Sequence, residues 1–418
     1  MHLDRVGQVF KHEIFARKEV IKEEVHCVII NPMSFLDNLF KKKEDSHALG
    51  IDIGSSAIKI VQLKKKNGQA VLETYGELAL GPYANLSVGQ AVQLPVEKIS
   101  QAVIDLMKEK EVNVTTKMCG LSIPFASSLM SVVEMPDVGP EKLKSMVPLE
   151  ARKYIPVPIQ EVMLDWSVIP KVGNPEEEAP ETYPKAQNFG QNDKTNEIAA
   201  GLPVLKKTDV LIVAIHNDTI SRYQSIVTRA GLLAGFFEIE VFSTMRSVVD
   251  EALRPVLVMD MGAASTKLYI IERGIVRTSH TVNRGAQNVT AALASSLSIP
   301  VDQAEVIKRQ MGLLNEDKKV GEVMSLVLDY VWSEAQSVLL SYEKKNNKPV
   351  SKILMVGGGA SLKGILELAK SNFKMDVELG LPFNKVSAPA FLDNILKETG
   401  PEFAVSIGLA LRKLSEEE

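Results

Sequence analysis

Residues 49–63 read LGIDIGSSAIKIVQL, and residues 256–271 read VLVMDMGAASTKLYII. Each stretch is an apolar strand that carries an aspartate where an apolar residue would pack better. A glycine and small residues follow, then a second strand-like run. Asp52, Gly54 and Lys59 keep the same spacing as Asp260, Gly262 and Lys267. One acid–glycine turn is ordinary Asx-turn chemistry. The same turn twice, 208 positions apart (260 − 52), suggests a duplicated unit.

The residue types in these turns suit phosphate. A strand–turn–strand hairpin of glycine and small hydroxyl residues exposes backbone N–H groups that can cradle phosphate oxygens. Gly54 and Gly262 are expected to allow close approach and positive φ. Ser55, Ser56 and Ser265 add donors, and Ala263 keeps the second turn small. A bare aspartate would repel phosphate. A hydrated Mg²⁺ between them turns that repulsion into attraction. Asp52 and Asp260 are therefore expected to hold magnesium through water. Lys59 and Lys267 lie on the outgoing strands, where side chains alternate, and the pattern leaves open whether they face ligand or solvent.

A third glycine turn, MVGGGASLKG at 355–364, follows a strand and opens a helix. Gly357, Gly358 and Gly359 let the backbone lie flat against a ligand, with Ser361 beside them. It is not a dinucleotide fingerprint, because position 362 is leucine where G-x-G-x-x-G needs glycine. The P-loop pattern G-x-x-x-x-G-K-[ST] does not occur in the chain.

Bulk properties narrow the class. With 418 residues and 45% hydrophobic content, the chain can build two or more cored domains. A net charge of −4 with 24% charged residues gives no electrostatic footprint for nucleic acid. Cys27 and Cys119 are far apart, which suggests neither a disulfide framework nor a zinc site, and a reducing cytosol fits. The six histidines do not cluster into a metal site or a local triad. No apolar run approaches the roughly 18 residues that suggest a membrane span, and there is no signal-peptide core.

Residues 1–45 read as a separate, mobile leader. Within it Phe35, Leu36, Leu39 and Phe40 share one helical face ahead of three lysines, so a membrane-surface or partner helix is the other reading. Met33 is a plausible start codon, which would leave 1–32 without function. Beyond 46, strands are expected at 49–54, 58–63 and 70–80, a helix near 96–110 and a strand at 117–124. Residues 125–235 differ in texture. They show a strand, a helix carrying Pro148 that should kink or split it, two further strands and a helix stopped by Gly231. Residues 171–207 are rich in prolines, acids and amides without apolar period, and read as a floppy loop. Next come a strand turning into a helix at 236–253, the second turn, helices at 287–297, 301–312 and 320–343, and a last helix at 401–414.

Five segments stand in the order of the actin/Hsp70/sugar-kinase ATPase superfamily. IDIGSSAIK resembles phosphate-1, FFEIEVFSTMRSVV connect-1, MDMGAASTK phosphate-2, VGGGASLKG the adenosine motif and EFAVSIGLAL connect-2. More narrowly, LEARKYIPVPIQEVMLDW (149–166) resembles the signature segment of the PilM family of type IV pilus assembly proteins, and the resemblance runs over about 46–414.

The resemblance implies an α/β, actin-like (RNase H-like, duplicated) two-lobed fold with ATP and Mg²⁺ in the cleft. Domain 1A would comprise 46–124, the connect-1 segment 236–252 and the C-terminal 401–418. Residues 125–235 would form the 1C subdomain shared with FtsA, and 253–400 domain 2 (2A and 2B). The A-E-x-x-K helix would bring Glu305 and Lys308 to ribose and adenine, the other reading being an exposed ion pair. Gly285 would lie near the phosphates. Glu240 in connect-1 would order magnesium or the attacking water, or serve only the strand–helix turn.

The family's partner is the N-terminal cytoplasmic tail of a PilN-like inner-membrane protein, held in a groove between 1A and 1C. Arg152, Tyr154 and Ile155 in RKYIPVP are expected to contact it, Tyr154 and Ile155 being equally suited to a subdomain core. Other platform proteins and a second copy of the chain are further possible partners. The expected role is an ATP-binding scaffold and switch with at most slow hydrolysis, cytoplasmic and peripheral to the inner membrane. The alternatives are an FtsA-like division protein and an actin-fold kinase or ATPase with true turnover. The acidic ending LRKLSEEE argues against an FtsA-type membrane helix.

Overall fold

A computed structural model describes residues 46–169, 207–250, 253–314 and 318–416. The leader with its Phe35–Phe40 face, Met33, Cys27 and nearly all of the 171–207 loop lie outside the described residues. The chain divides into two compact units, Leu129–Ile215 and the remainder.

The larger unit opens with β1 (His47–Ile53), β2 (Ala57–Lys66), β3 (Gln69–Ala79), α1 (Val96–Lys108) and β4 (Met118–Ile123). The small unit is built from β5 (Ser128–Pro136), α2 (Pro140–Ala151), β6 (Val162–Ile169) and β7 (Lys207–His216). The larger unit resumes with α3 (Asn217–Arg229), β8 (Leu233–Ile239), α4 (Glu240–Val248), β9 (Val256–Met261), β10 (Thr266–Glu272), β11 (Ile275–Val282), α5 (Ala286–Leu297) and α6 (Val301–Met311). It ends with α7 (Lys318–Asn346), β12 (Lys352–Val356), α8 (Ile365–Phe373), β13 (Val377–Leu379), α9 (Asp393–Thr399) and α10 (Ala404–Ser415).

The duplication is visible in the sheets. One has the order β3-β2-β1-β4-β8 and the other β11-β10-β9-β12-β13. In each, the first three strands run antiparallel and the last two join parallel. The central strands are apolar because both faces are covered. Leu257, Met259 and Ile353 of the second sheet share a core with Met324, Leu328 and Trp332 of α7. This is the two-lobed, actin-like α/β architecture.

Helix α10 returns to the first lobe, and two glycines let it approach. A Cβ on Gly50 would lie 2.0 Å from the Ser406 carbonyl, and one on Gly408 would lie 1.9 Å from the Ser243 carbonyl on α4. A buried charge cluster fastens the same crossing. Glu238 accepts two bonds from Arg246, each at 2.7 Å, and one from Arg412 at 2.9 Å. Burial by itself would raise the Glu238 carboxyl, but the two guanidiniums and Ser243 hold it below the usual carboxylate range.

The small unit is narrower than the expected 125–235, because β8 pairs with β4 and α3 belongs with the larger unit. Its sheet has the order β5-β7-β6, and its core gathers Val133, Leu143, Val147, Val210 and Ile212. Pro148 does not split α2, which runs on to Ala151. A proline this close to the C-terminus removes only one late intrahelical bond. Neither β13 nor α9 was expected from the sequence. No described helix is long and apolar enough to cross a membrane.

Candidate functional site

The two turns are near copies in space. Asp52 pairs with Lys59 across β1 and β2, and Asp260 pairs with Lys267 across β9 and β10. Gly54 N–H donates to the Ala57 carbonyl at 3.0 Å, and Gly262 N–H donates to the Ser265 carbonyl at 3.0 Å. Positive φ was expected at both glycines and occurs at neither. Glycine is suited here by tight space, since a Cβ on either would press to 3.0 Å from the carbonyl that closes its turn.

Both turns border one cavity of about 320 Å³. That falls within the roughly 300–1,000 Å³ of small-molecule sites. Its lining includes Asp52, Gly54, Ser55, Ser56 and Lys59 from the first lobe and Asp260, Gly262, Ala263, Ser265, Lys267 and Gly285 from the second. Gly357, Gly358, Gly359, Ser361, Glu240, Glu305 and Lys308 complete the expected set. Every nucleotide-site residue expected from the sequence therefore meets the same cleft.

The lysines do not point to solvent. Lys267 Nζ lies 2.7 Å from Glu240 Oε2 and 3.3 Å from Asp260 Oδ2. Burial works against its charge, but Asp260 and Glu240 push its pKa up. Lys59 Nζ lies 3.4 Å from Glu77 Oε1 and 3.9 Å from Glu402 Oε2, and its pKa is likewise raised against burial. Asp52 accepts a bond from Ser122 Oγ at 2.7 Å. Burial raises its carboxyl, and the nearby Asp260 adds to that. Glu240 is also raised by burial, with Asp260 and Asp52 contributing against Lys267.

Glu240 begins α4, and both its oxygens are engaged. Oε1 accepts the Phe125 N–H at 2.6 Å while Oε2 holds Lys267. The strand–helix turn and the cleft thus share one side chain. Glu305 and Lys308 form a 2.7 Å pair that is buried, which excludes the exposed ion-pair reading. Thr290 Oγ1 and Arg309 Nε also donate to the Glu305 carboxylate. These partners hold it below the usual range although burial alone would raise it.

Among the described residues no cluster of three or more His, Cys, Asp or Glu could hold a metal ion by itself. The donor set suits an ion that arrives hydrated on a ligand, with buried acids as outer acceptors. Thr244 Oγ1, one turn after Glu240, is buried without a hydrogen-bond partner, and Thr244 lines the cleft. It leaves a polar group for a ligand or water.

The sequence reading missed Glu77, Gly89, Thr244, Arg309 and Glu402, which also line the cavity. Glu402 stands just before the connect-2 helix and was within reach of the motif. Glu77 faces Lys59 across β2 and β3, a pairing that only the strand register reveals. Arg152 and Tyr154, the expected partner contacts, are exposed, Tyr154 by 48%. Ile155 instead lies in the small unit's core beside Val147 and Ala151. That removes it from any accessible surface.

Comparison with known proteins places these features in a family. The family model for "Type IV pilus assembly protein PilM" matches residues 50–183 and 194–414. A solved PilM-PilN type IV pilus biogenesis complex contains a chain that superposes with a TM-score of 0.69, covering 88% of this chain and 98% of that one at 22% identity. The cell division protein FtsA of Neisseria meningitidis serogroup B is 24% identical over 319 residues, 70% of this chain and 73% of that protein. FtsA of Pseudomonas aeruginosa is 24% identical over 226 residues, and that match spans about half of its length, 54%. At these identities the structural likeness shows the fold, whereas the family match covers nearly the whole described chain. This chain belongs to the PilM family of type IV pilus assembly proteins.

Proposed function

We propose that the protein binds Mg-ATP in the cleft and acts as a nucleotide-dependent scaffold of the type IV pilus assembly platform. It docks the N-terminal cytoplasmic tail of a PilN-like inner-membrane protein, and that partner holds it at the membrane. The observation that carries the nucleotide reading is the pair of Asp–Gly–Lys turns meeting the third glycine turn on one cavity. The turns offer backbone N–H groups to phosphate oxygens, and Lys59 and Lys267 supply positive charge. Asp52 and Asp260 are the residues that would accept bonds from the waters of a magnesium ion carried by the nucleotide. Such an ion would supply the positive charge that keeps these acids from repelling phosphate. Gly285 stands on the phosphate side, and Glu305 and Lys308 on the ribose and base side.

A switch is favoured over rapid turnover. Glu240 has one oxygen on Phe125 and the other on Lys267, so it is not poised as a base toward water. In domain terms, the first lobe is 1A, the small unit 1C and the second lobe domain 2. The actin-like core needs only its two lobes to hold a nucleotide, so the small unit is assigned to binding. It exposes Leu149 by 61% and Tyr154 by 48% next to Arg152, an apolar and basic surface suited to a peptide. The solved complex named for PilM and PilN supports this choice of partner.

Fluorescence anisotropy of a labelled PilN-like tail peptide tests the docking. Arg152→Glu is expected to weaken tail binding about tenfold while Mg-ATP affinity stays unchanged. Equal tail binding by wild type and variant would place the partner site elsewhere.

A further inference from the structure

The connection between β3 and α1 does more than join them. At its far end two consecutive amides are bonded to opposite lobes. Ala91 N–H donates to Gln287 Oε1 at 3.0 Å, in the first turn of α5. Val92 N–H donates to the Ser55 carbonyl at 2.9 Å, in the first phosphate turn. The α5 end is itself fixed to the second phosphate turn. Ala286 N–H donates to the Gly262 carbonyl at 2.9 Å, and Gln287 N–H donates to the Ala263 carbonyl at 3.0 Å. The segment is therefore fastened to one turn directly and to the other through α5.

Gly89 brings the same segment against the second lobe. Its φ is +86°, and a Cβ there would lie 2.5 Å from Glu305 Oε1. Only glycine accommodates both the conformation and the approach. Gly89 and Glu305 border the main cleft and also a second cavity of about 320 Å³ that Gln90, Ala91 and Gln287 help to line.

We propose that residues 85–92 form a strap that closes the cleft beside Glu305, with Gln287 as the positioning residue that latches it. This rests on the nucleotide reading above. Separation of the lobes breaks the Ala91–Gln287 bond and leaves the Val92–Ser55 bond intact, so the strap travels with the first lobe. The latch makes nucleotide release slower without touching the phosphates or the metal. Gln287→Ala removes the acceptor, whereas Gln287→Glu keeps an oxygen for the Ala91 amide.

The experiment displaces a fluorescent ATP analogue with excess ATP in a stopped-flow instrument. It is paired with hydrogen exchange over residues 85–92 in the nucleotide-free protein. Gln287→Ala is expected to raise the off-rate about fivefold, the loss of one ordinary hydrogen bond, with little change in on-rate. Gln287→Glu should release at the wild-type rate, a rescue that a merely structural defect would not show. Exchange at 85–92 should quicken in Gln287→Ala alone. An unchanged off-rate overturns the latch, whatever the exchange shows. If wild type binds no analogue, the nucleotide reading falls. The latch is then judged by exchange, and equal exchange in wild type and Gln287→Ala overturns it.

Discussion

Lys267 reaches from β10 to Glu240 at the start of α4, with 2.7 Å between Nζ and Oε2. This contact joins the second lobe's Asp–Gly–Lys turn to helix α4 of the first lobe. Through Oε1, Glu240 continues to the Phe125 amide at 2.6 Å. Phe125 in turn meets Tyr269 of the second lobe edge-on, with ring centroids 6.0 Å apart. One lysine thereby neutralises acids from both lobes, so the cleft's charge balance and its lobe contacts depend on the same atoms.

Lys267→Met should destabilise the ligand-free protein by about 3 kcal/mol at pH 7.5, as expected when a buried ion pair loses one partner. Asp52 and Glu240 already have pKa values raised by burial, and loss of the cation raises them further. An acid raised in the folded state binds more protons there than when unfolded, so stability falls as pH rises toward that raised value. The deficit should therefore shrink as pH falls toward 5. Melting curves across that range check this, and a deficit independent of pH would contradict it.

Arg412→Met should cost about 2 kcal/mol, since the buried Glu238 loses one charge-assisted bond while Arg246 keeps two on it. Glu238 is held below the ordinary range, so its contribution is complete above that range and is lost as pH falls through its own depressed value. Acid unfolding of the variant should begin at higher pH than in wild type. Circular dichroism during acid titration would show it, and coincident curves would remove the cluster from the stability account.

Much of the site was legible because its chemistry recurs at fixed spacing. Asp52 with Lys59, and Asp260 with Lys267, are set by hairpins in which sequence distance determines the cross-strand pair. The direction of the lysines was not legible, since alternation alone does not tell cleft from solvent. Glu77, Gly89 and Thr244 come from elements whose register and approach depend on tertiary packing. β13 and α9, of 3 and 7 residues, are too short to carry a period. Ile155 shows the same limit. Its neighbour Tyr154 is exposed and it is not, a distinction made by the turn after α2 rather than by residue type.

Gly408→Ala should be among the most damaging methyl additions in the chain. Its Cβ would stand 1.9 Å from the Ser243 carbonyl, so α10 and α4 would have to separate. A loss of about 3 kcal/mol or more is expected, at the upper end of overpacking costs. Chemical denaturation measures it, and a loss below about 1 kcal/mol would mean that the helix crossing is looser than described.

The central claim is that the two Asp–Gly–Lys turns bind one Mg-nucleotide between them. Isothermal titration calorimetry of Mg-ATP into wild type, Asp52→Ala and Asp260→Ala tests it most directly. The account predicts binding by wild type, with affinity at least about tenfold weaker in each variant and a smaller dependence on magnesium, since each loses one acceptor for a charge-assisted contact. Equal Mg-ATP affinity in all three folded proteins would contradict it.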